Sequence, residues 1–180
     1  MSTAIEFNDL TGDFVIDTAR TRIGFIARHT MATRVRGNFR EVDGSARLRL
    51  DEPSKSSGLL RIQATSIDTR NRRRDDLLAR KFLGADDHPT ITFALTGAAR
   101  VDETTVEVTG DLTIRGVTRP VTVGFELTSV QNDPNGALRV GFTGATTINR
   151  KDWRVHWKAA AGMVAPRVTL EFDVAAIRQS

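Results

Sequence analysis

The chain has no cysteine among its 180 residues, which excludes a disulfide framework, a thiolate metal site and a cysteine nucleophile. No apolar run approaches the roughly 18 residues of a transmembrane helix. The opening MSTAIEFNDLTGDF has neither the basic start nor the apolar stretch of a secretory signal, so a cytoplasmic location is expected. Catalytic signatures are missing as well: HExxH, GxSxG and GxxxxGK[ST] do not occur, and no catalytic residue is assigned. Histidine is scarce. His29, His88 and His156 are far apart in sequence, and a centre of three imidazoles would need all of them to converge, so no metal site is expected.

What is present is ordinary in bulk. Apolar residues make up 39% and charged residues 27%, which excludes wholesale disorder and coiled coil. A domain of this length buries roughly two-thirds of the surface that its unfolded chain exposes and needs no cross-link. One domain is expected over 13–178, behind an N-terminal extension 1–12. The 26 Lys and Arg exceed the 22 Asp and Glu by only four, and 22 of the 26 are arginine. That excess is too small and too spread for the clustered basic face of a nucleic-acid binder, so no nucleic-acid partner is expected.

The dominant pattern is period-two alternation, the mark of a strand with one dry and one wet face. Ile23, Phe25 and Ala27 form one such series; Leu60, Ile62 and Ala64 another; Ile91, Phe93 and Leu95 a third. Later series are Val106, Val108, Leu112 and Ile114; Val121, Val123, Phe125 and Leu127; Leu138, Val140, Phe142 and Ile148; and Val168, Leu170, Phe172 and Val174. A further strand over Val35 to Leu50 changes parity between Phe39 and Val42, and a bend is expected near Asp43 and Gly44. Only RRRDDLLARKFL reads as helical, with Leu78 and Phe82 sharing a face. The fold class is therefore all-β. Eight strands and one short helix must bury their apolar faces against one another, as a sandwich or a closed barrel.

Tight-turn residues at Glu52 to Ser57, Val101 to Thr104 and Gln131 to Gly136 predict an antiparallel meander. Its opposite end then gathers the helix and the loops Thr30 to Thr33 and Lys151 to Ala165, the asymmetry of a binding barrel with one open mouth. Small residues of inward parity, Ala27, Ala64, Gly97, Ala99, Gly110 and Gly144, are expected to leave an unfilled lumen or to permit bends and close strand packing. Apolar walls run into polar groups at the mouth: Ile23, Phe25, Ala27, then His29; Leu60, Ile62, Ala64, then Ser66 and Asp68; Ile148, then Arg150. That layout suits an amphiphile with its tail in the lumen and its head at the rim. Arg150 can fork to a phosphate or carboxylate and His29 can donate to either. Asp68 can instead pair with Arg150 or cap the helix. Arg72, Arg73 and Arg74 at the same mouth are a solvated helix start or a steering patch for an anionic head. Trp153 and Trp157 are a lid or the packed anchor of their loop. Phe39, Phe93, Leu95, Leu112, Phe125 and Phe142 complete the candidate lining with Trp153.

Six segments in register carry a resemblance: FIARH (Phe25 to His29), VRGNF (Val35 to Phe39), SIDTRNRRRDDLLARKFL (Ser66 to Leu83), HPTITF (His88 to Phe93), VTGDLTIRGVTRPV (Val108 to Val121) and INRKDW (Ile148 to Trp153). Together they resemble the YceI-like family of lipocalin-like polyisoprenoid-binding proteins, over about Phe14 to Ala176. The resemblance implies an extended eight-stranded antiparallel β-barrel, lipocalin-like, with a helix near the mouth. It further implies a long apolar lumen for isoprenoid quinones, prenyl pyrophosphates or similar chains, and a possible homodimer. Four positions depart from the family pattern: Arg20 and Thr21 replace a His-Ser pair, Leu77 replaces a His, and Arg154 stands where a Gly is usual. The expected activity is binding, storage or transport of such a lipid, with no cofactor and no membrane insertion. The alternatives are an enzyme acting on the lipid at His29, Asp68 and Arg150, and a stress-linked interaction module with a filled core.

Overall fold

The computed structural model of the chain describes residues 10–29, 33–49, 51–157 and 164–179. Among these residues eleven strand segments follow one another: β1 (Gly12–Ile16), β2 (Arg22–His29), β3 (Arg34–Phe39), β4 (Val42–Leu48), β5 (Ser57–Gln63), β6 (Ile67–Asp68), β7 (Thr90–Arg100), β8 (Thr105–Ile114), β9 (Val117–Asn132), β10 (Leu138–Asn149) and β11 (Val164–Arg178). The first six are halves of three long strands, each interrupted once, so the segments make eight staves. Neighbouring staves pair antiparallel. The ring closes through β1, which pairs with β4 on one side (Phe14 opposite Ala46) and with β11 on the other (Phe14 opposite Arg178). The protein is a closed eight-stranded antiparallel barrel with one short helix.

Each interruption shifts the two-residue period by one and restores the apolar face to the inside. The second stave breaks at Arg40 and Glu41, so buried Phe39 and buried Val42 both point inward. This is slightly earlier than the bend expected at Asp43 and Gly44. The first stave breaks between β1 and β2, where the Thr21 hydroxyl donates to Ala175 O at 3.2 Å and accepts from Ala175 N at 3.1 Å. Thr21 thereby takes over backbone groups that the interrupted ladder leaves unpaired. In β7 the register slips between Leu95 and Gly97. From there Ala98 lines the lumen and Ala99 is exposed, which corrects the inward placement of Gly97 and Ala99.

The turns at the far end are built by aspartates. Asp102 accepts from the backbone N–H groups of Thr104 and Thr105, both at 2.9 Å, and Asp133 from those of Asn135 and Ala137 at 2.8 and 3.0 Å. At the mouth, helix α1 (Arg72–Leu77) runs into a wider turn over Leu78–Phe82. Asn71 caps it by accepting from Arg74 N at 3.1 Å, so the cap is Asn71 rather than Asp68. Arg115 closes the other helix end. It and Gly116 form a two-residue hairpin turn at φ 51° and 75°, and its Nη1 donates to Phe82 O at 2.8 Å and Lys81 O at 3.1 Å.

Two glycines expected to leave space are seats for aromatic rings. A Cβ at Gly110 would lie 2.5 Å from Phe93 Cζ and 2.8 Å from Ala94 O, and one at Gly144 would lie 2.9 Å from Phe125 Cδ1. Gly97 has nothing within 4 Å of that position. Gly110→Ala is accordingly expected to cost about 1–3 kcal/mol in urea unfolding through overpacking, whereas Gly97→Ala is expected to be neutral or to gain about 0.5 kcal/mol. Equal effects of the two substitutions would contradict this packing.

Candidate functional site

Inside the barrel lie two apolar chambers that share a wall. The mouth chamber, about 130 Å³, is lined by Ile23, Phe25 and Ala27 of β2, Phe39, Ile62, Ile91, Leu112, Ile148 and Arg150, and is roofed by Leu78, Phe82 and Leu83 of the helical segment. The far chamber, about 150 Å³, is lined by Phe14 and Ile16 of β1, Leu60, Leu95, Ala98, Phe125, Phe142, Val174 and Ala176 among others. Phe93 and Phe172 line both.

Those two rings form a partition across the barrel. Their centroids are 6.4 Å apart, and Phe172 meets Phe125 edge-on at 5.7 Å. The arrangement follows from strand register. Phe93, Phe125 and Phe172 stand on β7, β9 and β11, and the intervening β8 and β10 carry Gly110 and Gly144. Gly144 lies directly opposite both Phe125 and Phe172, so its missing side chain is what lets two rings meet there. In the mouth chamber Phe25 packs on Phe39 at 5.9 Å, over Gly37, where a Cβ would lie 2.6 Å from the Phe25 ring.

Among the described residues Arg150 is the one polar side chain in the mouth-chamber lining, and it is 8% exposed. Its Nε donates to Ala165 O at 3.0 Å, Nη1 to Val155 O at 2.7 Å and Nη2 to Val164 O at 2.6 Å. Burial lowers its pKa, yet a guanidinium keeps its proton. Among the described residues no carboxylate pairs with it. Carbonyl dipoles therefore carry the compensation, and two of the five N–H donors remain beyond these three bonds.

The other rim candidates separate. Asp68 accepts from Arg40 Nε at 2.7 Å and pairs with its Nη2 at 2.6 Å on the outer surface, so the expected pair with Arg150 is absent. Its pKa is lowered first by the Arg70 backbone N–H and then by Arg40. The Ser66 hydroxyl donates to Gln63 O at 2.7 Å inside a short 3-10 turn, and Ala64 is fully buried in the same turn. Trp153 is buried and donates to Leu112 O at 2.8 Å, outside both chamber linings. It anchors its loop. Trp157 instead meets Phe82 edge-on at 6.3 Å, behind the roof of the mouth chamber. The side chain of His29, like the loop 30–32, lies outside the described residues, as does 158–163 of the second mouth loop. His88 packs its ring on Gly116 and Gly84, and His156 is exposed; no cluster of three metal-ligating side chains occurs among the described residues.

Of the basic triplet, Arg74 turns inward, donating to Thr69 Oγ1 and Thr69 O, both at 2.8 Å, while Asp75 accepts from Thr69 N at 2.8 Å. Arg72 and Arg73 stay exposed. Several lining residues were not singled out as candidates in the sequence, chiefly Phe14, Ile16, Phe172, Val174 and Ala176. Phe172 and Val174 were visible there as members of an alternating series; β1 was too short to register.

A closed meander barrel with an apolar lumen, a helical roof and one buried arginine at the mouth defines a lipocalin-like binding barrel. The chain belongs to the YceI-like family, whose domain model matches residues 14–176. It is 30% identical over 173 residues to a UPF0312 protein of Azotobacter vinelandii, covering 94% of this chain and 89% of that one. A UPF0312 protein of Pseudomonas paraeruginosa is 33% identical over the same length and shares. Among solved structures, BcnA of Burkholderia cenocepacia superposes with a TM-score of 0.78 at 23% identity, over 89% of this chain and 98% of its own. A polyisoprenoid-binding domain from Saccharophagus degradans superposes at 0.75 with 13% identity, over 92% and 98%.

Arg154, at the position where a family glycine was expected, adopts φ 59°, the left-handed region that glycine enters without strain. Arg150→Ala would strand three carbonyls, two on β11 and one in the 150–157 loop, and is expected to cost about 3 kcal/mol in urea unfolding. Arg150→Lys should recover only part of that, because one ammonium cannot reach three divergent acceptors.

Proposed function

We propose that the protein binds a long-chain amphiphile, an isoprenoid quinone, a prenyl pyrophosphate or a similar lipid, with its chain in the barrel and its head at the helix-roofed mouth. The carrying observation is the lining of the lumen, in which Arg150 is the only charged side chain among the described residues and the rest of the mouth-chamber lining they form is aliphatic or aromatic. The description of the Saccharophagus neighbour as polyisoprenoid-binding supports the same reading. Burying a prenyl tail gains roughly 25 cal/mol per Å² of apolar surface, less the cost of ordering it. An anionic or carbonyl head group fits the two N–H donors that Arg150 has left.

The role proposed is sequestration or transport, without chemistry on the lipid. Asp68, the carboxylate that catalysis at the mouth would have used, faces Arg40 on the outside. The two chambers set the size of what enters with the rings at rest. An apolar cavity near 150 Å³ accommodates a molecule of about benzene size, so a long chain must displace the Phe93 and Phe172 rings or remain partly outside.

Protein purified from its own cells is expected to release a stoichiometric lipid on organic extraction, and native mass spectrometry should report the same added mass on the intact chain. Recovery of no lipid, with an unliganded mass, would contradict the reading. Phe172→Leu opens the partition while keeping the site apolar, and is expected to shift the recovered lipid, or the preference among added prenols, towards longer chains by at least one isoprene unit.

A further inference from the structure

The two ends of the barrel carry opposite charge. Connections at the mouth, 69–89, 115–116 and 150–157, hold ten Lys and Arg against five Asp; those at the far end, 49–56, 101–104 and 133–137, hold two against five Asp and Glu. The small net charge of +4 thus conceals a polarised molecule. The asymmetry survives pairing. At the mouth, Asp75 is held by Thr69 and Asp76 by Arg80, and Asp86, Asp87 and Asp152 are exposed; against these three, Arg72, Arg73, Lys81, Lys151 and Arg154 are exposed as well, and none of the ion pairs among the described residues includes them.

The strand ends beside the mouth add a cost that needs an explanation. Arg28 of β2 and Arg34 of β3 lie directly opposite one another in the ladder, both exposed. Like charges at such a position repel, and a negatively charged surface would relieve them. Leu77 is a large apolar side chain left at the surface of the roof helix, one turn from Arg73 and one turn from Lys81. Cations flanking an exposed leucine beside an apolar lumen match the chemistry of a bilayer interface, where phosphates meet acyl chains.

We propose that the mouth end is a peripheral docking surface for an anionic phospholipid bilayer, holding the helix-roofed chamber against the membrane while the acidic end faces away. This docking deepens the lipid-carrier reading and takes its purpose from it. The two fail separately: vesicle binding is measured without regard to what the lumen holds, and lipid recovery is measured without vesicles.

The test is co-sedimentation of the full chain with vesicles of phosphatidylcholine alone or containing about one-third phosphatidylglycerol. Binding is expected only to the anionic vesicles, and raising ionic strength from about 0.1 M to about 0.5 M should release it. Arg72→Glu with Arg73→Glu should weaken binding by at least about tenfold, given roughly fivefold per basic residue near such a surface. Acids are favourable in the first turn of a helix, so this variant is expected to fold, as circular dichroism and thermal melting would verify. Lys55→Glu with Arg47→Glu makes the same change in net charge at the far end and should leave binding within about twofold. Wild-type protein that stays in solution with anionic vesicles would overturn the proposal. So would equal losses in the two double variants, or retention on a DNA duplex without binding to vesicles.

Discussion

Everything in this molecule hangs on the double pairing of Gly12–Ile16. This short segment hydrogen-bonds to β4 on one side and to the end of β11 on the other, and without it the sheet would have two free edges. Closure removes the edges, which are the liability of any long antiparallel sheet. It also converts eight one-sided faces into one interior lined almost throughout by apolar side chains. Phe14, at the centre of the segment, is 2% exposed and lines the far chamber. The same residue thus seals the ring and helps to form the cavity.

A closed barrel of eight strands is just wide enough for side chains to fill it or for one small ligand to replace some of them. Here the contest is decided residue by residue. Where β8 and β10 carry Gly110 and Gly144, rings from their neighbours move in and divide the lumen. Where the lining is Ala27, Ala46 or Ala98, space stays open. An aromatic ring pivoting about χ1 and χ2 moves far more easily than backbone, so a partition of Phe93 and Phe172 is a softer obstacle than a filled wall would be. The glycines that admit the rings also set where such a barrier stands along the barrel axis.

Much of this was legible in the sequence. Alternation located the eight staves, and the loss of β-branched residues over 72–83 located the roof helix. The antiparallel order followed from three turn clusters, and the lining candidates on β2, β5, β7 and β10 reach the chambers. What escaped had a common cause: parity counts hold only while the ladder is regular. The slip after Leu95 turned Ala99 outward, and the break at Arg40 and Glu41 came earlier than the glycine at position 44 suggested. Charge partners were less legible still. Asp68 is spaced as if it belonged to the mouth, but β6 joins the ladder through Asn38 opposite Asp68, which sets its carboxylate beside Arg40 on the outer face. No one-dimensional pattern encodes that choice.

The arginines make the same point about context. Arg150 is held by two carbonyls of β11 and one of the 150–157 loop, and Arg115 by the carbonyls that end the roof helix. Arg119 donates to Asp152 O at 2.9 Å, beside the loop that Arg150 also grips. These three use the planar fork of the guanidinium as a structural clamp, joining the hairpin turn, the helix and the 150–157 loop into one rim. A mouth built this way is stiff where the clamps act. The roof between them, Leu78 to Leu83, touches the chamber through side chains alone. Passage of a lipid therefore requires least disruption if the roof side chains and Trp157 yield while the clamped rim stays fixed. The exposed arginines at the same rim are free of those duties, and their charge is directed outward from a frame that the buried ones hold rigid.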